Sequence, residues 1–252
     1  MTRTPQELDK IEVKRCTDSE NDTQPFPKKG KLKANMNLSL SELKQRMNKS
    51  GGEQVRSYIV TTVDWKEDSL AQYGSGPNFQ GGLITLCTCK HMMRTYHSAE
   101  DWKGMWIAGK TKKPVAENAL FYLIKVSKAY ESQAELWDAL DEETKKAKNS
   151  RFNILGDVFE PKKKNLIEDA RFDSQKYFEP HKDHVHIKGE KWKTDIEYKS
   201  KRHSVLLVGD VENSYLWTLP KIYFCGLKNN VRGNSKINFE DFIKGLSEKP
   251  CK

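Results

Sequence analysis

The chain has 252 residues, with 44 Lys and Arg against 35 Asp and Glu, which leaves a net charge of +9. This excess of positive charge favours a polyanionic partner, with nucleic acid first. No apolar run approaches the roughly 20 residues of a membrane-spanning helix, and five cysteines in no regular spacing argue against a disulfide-stapled secreted domain.

These bulk properties predict a cytoplasmic or nuclear protein in a reducing compartment. The first residues, MTRTPQELDK, lack the apolar segment of a signal peptide. A hydrophobic fraction of 36% and a mean hydropathy of -0.81 are low for a compact protein of this length. Part of the chain is therefore expected to lie outside the core.

Residues 1–53 have the composition of a disordered basic tail and linker, since Ser, Asp, Asn, Pro and Lys alternate without periodicity. One short helix is expected within NLSLSELKQRM, residues 37–47, with Ser41 as its N-cap. Residues 54–252 are predicted to form a single α+β domain.

The predicted elements of that domain are mostly strands. Strands are expected in VRSYIVTTVDW, LITLCTCKHMM, MWIAGK, NALFYLIKVSKAY and HSVLLVGDVENSYLW. Ser132 is positioned to cap a helix over residues 132–148, and Asn238 a helix at the C-terminal end. With no βαβ rhythm, the fold class is α+β: a mixed or barrel-like sheet with a few flanking helices and a disordered N-terminal tail.

The stretch LCTCKHMMR, residues 86–94, contains two cysteines one residue apart. Structural zinc sites use two closely spaced ligand pairs, and this spacing is tighter than usual. In a strand, Cys87 and Cys89 would point to the same face, which favours two small core residues over a metal or redox pair.

Three histidines, His181, His184 and His186, lie within the six residues HKDHVH. They are candidate ligands of a divalent metal, and His184 is also a candidate for acid–base catalysis. The alternative is a solvated loop with incidental histidines.

The segment GDVFEPKKK carries a further catalytic candidate. Glu160-Pro161-Lys162 resembles the E-x-K element of metal-dependent nucleases, in which carboxylates hold the metal and lysine stabilises developing charge, and Asp138 or Asp141 on the predicted helix would have to supply the upstream acid. With the neighbouring acid included, the catalytic candidates here are Asp157, Glu160 and Lys162. Pro161 argues against a central strand at this position.

Aromatic and basic side chains are interleaved between residues 73 and 113. Aromatic rings stack on bases while Lys and Arg bind phosphates, so this mixture suits an unstacked base of a nucleic acid. The alternative is that the tryptophans belong to the core and the lysines to a solvated face. The candidate nucleic-acid-binding residues are Lys90, Arg94, Tyr96, Trp102 and Lys110.

The order RSYIVTTVDW, GPNFQGGLITLCTCKHMMR, DWKGMWIAG, ALFYLIKVSKAY, RFNILGDVF resembles the nucleotide-modification-associated domain family over residues 55–225. Cys89, Lys90 and Arg94 match the family's CKPxIR motif, and Gly156 and Asp157 match its GD. His91 departs from the proline of that motif. The resemblance implies an association with systems that modify bases in DNA, often of phages and bacteria, and so favours DNA over RNA as the partner. The strand pattern is also similar to PUA-like barrels.

The leading hypothesis is thus a nucleic-acid-interacting domain that recognises or processes modified or flipped-out bases. One alternative is a metal-dependent nuclease or a base- or nucleotide-modifying transferase of a phage or bacterial defence system. The other is a protein-interaction module whose charge is incidental. The sequence leaves the oligomeric state and any cofactor undetermined.

Overall fold

A computed structural model describes residues 23–197, 203–226 and 233–251. Its helices are α1 (Gly30–Ala34), α2 (Leu40–Ser50), α3 (His91–Arg94), α4 (Ala99–Trp102), α5 (Gln133–Ala139), α6 (Glu142–Lys148), α7 (Lys191–Glu197) and α8 (Phe239–Gly245). Its strands are β1 (Gln54–Ile59), β2 (Val63–Lys66), β3 (Ser69–Gln72), β4 (Thr85–Leu86), β5 (Trp106–Lys110), β6 (Leu120–Tyr130), β7 (Leu206–Leu216), β8 (Tyr223–Phe224), β9 (Asn234–Asn238) and β10 (Leu246–Ser247).

Six of the strands form a curled, half-barrel mixed sheet in the order β4-β7-β6-β5-β1-β9. β1 and β5 are parallel, and the other neighbours in this sheet are antiparallel. Register shifts interrupt the β5–β6 and β6–β7 pairs, and such irregularities bend strands and increase twist. The predicted α+β class with a mixed sheet and flanking helices is confirmed.

Both faces of the sheet are covered by a hydrophobic core. Because successive side chains of a strand point to opposite faces, they enter the two cores in turn. On β5, Ile107 packs into one core while Trp106 and Ala108 pack into the other. The second core is closed by α2 and α8, and the first by the segment that runs from α3 to α4. It is on this first face that the candidate site lies.

The structure differs from the predicted tail over residues 23–53. Here α1 and α2 pack on the sheet, and Leu32, Leu43 and Met47 are buried. The N-cap of α2 is Ser39, which forms a capping box with Glu42, rather than Ser41. A few buried apolar residues are enough to pack this otherwise polar segment against the sheet. Residues 1–22 lie outside the described residues.

Two other elements are shorter than predicted. The strand expected over residues 83–93 ends at Leu86, so Cys87 and Cys89 are not strand residues. The helix expected over residues 132–148 is two helices, and the side chain of Asp141 caps the second. Ser132 and Asn238 cap their helices as predicted.

A disulfide joins Cys225 to Cys251, a pair that the irregular cysteine spacing did not indicate. Across the part of the chain that the structure describes, none of the helices combines the length and the apolar character needed to cross a bilayer.

Candidate functional site

The candidate site is built on the segment that leaves the sheet after β4, residues 87–97. Lys90 turns the chain with a left-handed backbone (φ 56°), and α3 begins directly after it. Arg94 then anchors the turn: its Nε donates to the Cys89 carbonyl at 2.8 Å, and its Nη1 to the Val205 carbonyl at 2.6 Å. The arginine is fully buried and ties this segment to the residues that precede β7.

At the centre of the site, two imidazoles share the buried carboxylate of Asp195 on α7. Nε2 of His91 lies 2.7 Å from one carboxylate oxygen, and Nδ1 of His186 lies 2.5 Å from the other. Only 2% of the Asp195 side chain is exposed, against 24% of each histidine side chain. This group, the histidine pair on Asp195, joins the segment around His91 to the segment that carries both His186 and Asp195.

Asp195 is held as an anion. Burial raises the pKa of its carboxyl, but the hydrogen bonds from His186 and His91 outweigh burial, so the net change in this pKa is downward. A buried carboxylate that accepts from Nδ1–H of His186 leaves Nε2 of that ring as a proton acceptor, which is the arrangement of a general base.

The segment that carries His91 also presents an aromatic ring to solvent. Tyr96 is 46% exposed, and the Arg56 guanidinium lies over its ring, 5.2 Å from the centroid. Nη2 of Arg56 is also 2.9 Å from Nε2 of His97. Deeper in the segment, the ammonium of Lys90 lies 4.8 Å from the centroid of the Tyr58 ring. Arg56 and Tyr96 thus form a cationic, partly aromatic surface on the segment that also carries His91.

The thiol nearest to this surface is not activated as a nucleophile. Burial, together with the charge of Asp195, raises the pKa of Cys89 to about 11. A thiol with such a pKa is protonated at neutral pH, and it is the thiolate that attacks.

The three predicted histidine ligands are not arranged around a common metal position among the described residues. His184 is 2% exposed: its Nε2 bonds the Gly156 carbonyl at 2.9 Å, and its Nδ1 accepts from the His186 backbone N–H at 3.1 Å. Nδ1 of His181 accepts from the Asp183 backbone N–H. Within the described ranges, no group of three or more His, Cys, Asp or Glu side chains is placed to hold a metal ion. Through Nδ1, buried His184 holds the backbone of His186 in place.

His184 predicts a pH dependence of stability. Burial lowers its pKa to about 4, from 6.5 in an unfolded chain, so the unfolded state takes up a proton first as the pH falls. The stabilisation from neutral His184 is complete above about pH 6.5 and decreases by up to about 3 kcal/mol as the pH falls to 4. Urea unfolding of wild type and His184→Gln at pH 4 to 8 measures this. The stability difference between the two should shrink toward pH 4, and a constant difference would contradict the assignment.

The predicted catalytic residues of GDVFEPKKK lie apart from one another. Asp157 is fully buried, and its Oδ2 accepts from the Thr85 hydroxyl at 2.7 Å. Glu160 accepts from the Asn149 amide at 2.8 Å and lies 3.4 Å from Arg151, while exposed Lys162 donates to the Gln175 carbonyl. These three side chains form separate contacts.

Asp157 belongs to a buried polar cluster under the sheet. Thr85, whose hydroxyl donates to Asp157, accepts from the ammonium of Lys148 at 2.9 Å. That ammonium also donates to the side-chain and backbone oxygens of Asn78, at 2.8 and 3.1 Å. Burial lowers the pKa of Lys148 to about 8 and raises that of Asp157, whereas the attraction between the two opposes both shifts.

Of the predicted nucleic-acid contacts, Lys90 and Tyr96 lie on the candidate surface. Arg94, Trp102 and Lys110 are fully buried and expose no surface to a ligand in this conformation. Trp102 donates from its indole to the Arg94 carbonyl, and the ammonium of Lys110 lies over the Phe224 ring. These three side chains therefore belong to the interior of the fold.

Sequence reasoning missed Asp195, Arg56 and the part played by His91. A signal for Asp195 exists: Trp192, Asp195 and Ile196 lie on one face of α7, and all three are buried. An acid among apolar residues at this spacing indicates a buried carboxylate with partners elsewhere in the chain. Those partners, His91 and His186, are 95 positions apart and could not be inferred from a local pattern.

Comparison with known proteins adds no assignment: no family model, no curated protein and no solved structure matches this chain.

Proposed function

We propose that this protein interacts with nucleic acid, DNA ahead of RNA, and holds an unpaired or flipped-out base at the surface formed by residues 90–97. What supports this is that exposed Tyr96, covered on one side by the Arg56 guanidinium, follows His91 of the histidine pair by five residues on the same short segment. An aromatic ring with a cation suits base stacking, and Nε2 of the partly exposed His186 suits a hydrogen bond to a base edge. The net charge of +9 provides long-range attraction to phosphate.

A second candidate function is acid–base catalysis on the bound nucleotide or base. The observation that favours it is the buried Asp195 carboxylate, which orients His186 with Nε2 as the accepting atom. In this role His186 takes a proton from the attacking water or hydroxyl, and Asp195 stabilises the imidazolium that forms. Recognition and processing of a modified base are then two uses of one site.

The binding proposal predicts that Tyr96→Ala weakens binding of single-stranded DNA about fivefold or more, because stacking contributes about 1–3 kcal/mol per base. Fluorescence anisotropy with labelled oligonucleotides at low salt, with plain and modified bases, measures this. Tyr96→Phe should retain the affinity. Trp65→Ala is the matched control, since Trp65 is an exposed aromatic, 42% accessible, on the separate β2–β3 hairpin.

Wild-type protein that binds neither plain nor modified DNA at low salt would overturn the proposal. The salt dependence separates it from the protein-interaction alternative. Affinity should fall steeply between low and physiological salt, because phosphate contacts release counterions. Affinity for DNA that stays flat over this range would favour the protein-interaction module.

Three finer predictions accompany this proposal, and no direct observation favours them. They are the membership of the nucleotide-modification-associated family, the PUA-like identity of the curled sheet, and metal-dependent nuclease chemistry at Asp157, Glu160 and Lys162. A role in phage or bacterial defence follows from the family resemblance alone.

A further inference from the structure

A second aromatic and cationic group lies outside the candidate site, in the loop that follows α6. The guanidinium carbon of Arg151 is 3.9 Å from the centroid of the Phe178 ring and 5.0 Å from that of the Phe152 ring. We call these three residues the phenylalanine–arginine stack. At 69%, Phe152 is more exposed than any other large hydrophobic side chain among the described residues. Single exposed apolar residues are common, but this ring is held beside a cation.

The stack stands at one end of a lysine-rich ribbon. The Phe178 N–H donates to the Glu160 carbonyl at 3.0 Å, and the Lys162 N–H donates to the Lys176 carbonyl at 2.8 Å, so residues 160–162 pair with residues 176–178. The lysines at 162, 163 and 164 are all exposed. Glu160 lies 3.4 Å from the Arg151 guanidinium and neutralises part of its charge. Attraction to a polyanion therefore comes from the lysines, while Arg151 holds the two rings.

The phenylalanine–arginine stack is within reach of a single strand of DNA that is bound at the histidine pair on Asp195. The His181 N–H donates to the Ser150 carbonyl at 2.7 Å, which fixes His181 beside Arg151. His186, five residues later, contacts Asp195. Five residues span at most about 18 Å, which corresponds to about five nucleotides at the 3.4 Å spacing of a stacked strand.

We propose that Phe152 is a stacking platform for an unpaired base of single-stranded DNA whose neighbouring nucleotides occupy the site at Tyr96 and the histidine pair. Arg151 and Phe178 hold the ring in place, and the lysines at 162–164 contact the phosphates. A π-face accepts any base, so the platform adds affinity with little sequence preference. This inference rests on the proposed function, because it extends the same strand beyond the first site.

Two probe lengths test it. A labelled mononucleotide carries one base, which the site at Tyr96 and the histidine pair is expected to take, whereas a 12-nucleotide single strand covers both sites. Phe152→Ala should weaken binding of the 12-mer about fivefold or more and leave that of the mononucleotide unchanged. Phe152→Trp should retain full affinity for the 12-mer, and Trp65→Ala should match wild type. Because Phe152 is exposed, its replacement is expected to preserve the fold, which thermal unfolding checks.

The outcomes separate this inference from the proposed function. If Phe152→Ala binds the 12-mer as wild type does while Tyr96→Ala binds it less tightly, the platform is overturned and the base site stands. Equal weakening for both probe lengths also overturns the platform, because it shows a general effect. A wild-type protein that binds neither probe overturns both proposals.

Discussion

Replacing Asp195 by asparagine is expected to lower the conversion of a nucleic-acid substrate about 10²- to 10⁴-fold, the usual contribution of general acid–base catalysis. The amide keeps the size of the carboxylate but presents one donor and one acceptor to the two imidazoles, and it carries no charge to stabilise an imidazolium. Binding of the same DNA should change little, because the Asp195 side chain is only 2% exposed. This variant is therefore expected to lose turnover while it keeps its affinity for the same DNA.

The measurement uses single-stranded oligonucleotides and mononucleotides with plain and modified bases, and mass spectrometry of the products. His186→Gln should lose turnover to a similar degree. Glu190→Gln is the matched control, because Glu190 is an exposed acid just before α7 that pairs only with Lys193 in the described structure. If Asp195→Asn turns over as wild type does, the acid–base role is excluded. If wild type converts none of the probes, binding alone remains as the function.

Replacing Lys148 by methionine should destabilise the fold by about 3–5 kcal/mol, since removal of one partner leaves a buried charge uncompensated. Lys148 is fully buried, and methionine keeps much of its volume. The variant loses the hydrogen bonds to Asn78 and Thr85 and removes the attraction of the Lys148 ammonium for the buried Asp157 carboxylate.

Chemical denaturation of the purified variants measures this loss. The double variant Lys148→Met, Asp157→Asn should regain part of it, because the unpaired charge is gone. Lys146→Met is the control on the same helix: Lys146 is exposed, and its change should stay within about 0.5 kcal/mol of wild type. A Lys148→Met protein as stable as this control would show that the buried pair contributes nothing to stability.

Features that depend on neighbouring residues could be predicted from the sequence, whereas features that depend on distant residues could not. β5, β6 and β7 follow from runs of β-branched and aromatic residues, and the caps at Ser132 and Asn238 follow from side chains next to the backbone they bind. By contrast, the motif GDVFEPKKK made Asp157 a catalytic candidate, although its partners Lys148 and Thr85 place it in the core. A motif gives the type of a residue and leaves its burial open.

Composition and periodicity determined the basic character of this protein, its α+β class, its mixed sheet and the segment around Lys90 as the region of interest. These properties depend on counts and on neighbours within a few residues. Only the tertiary structure decided that Arg94, Trp102 and Lys110 are interior residues, that residues 23–53 dock on the sheet, and that His91 and His186 meet on Asp195. The reason is that burial and charge pairing depend on which distant segments pack together, and no local spacing specifies that choice.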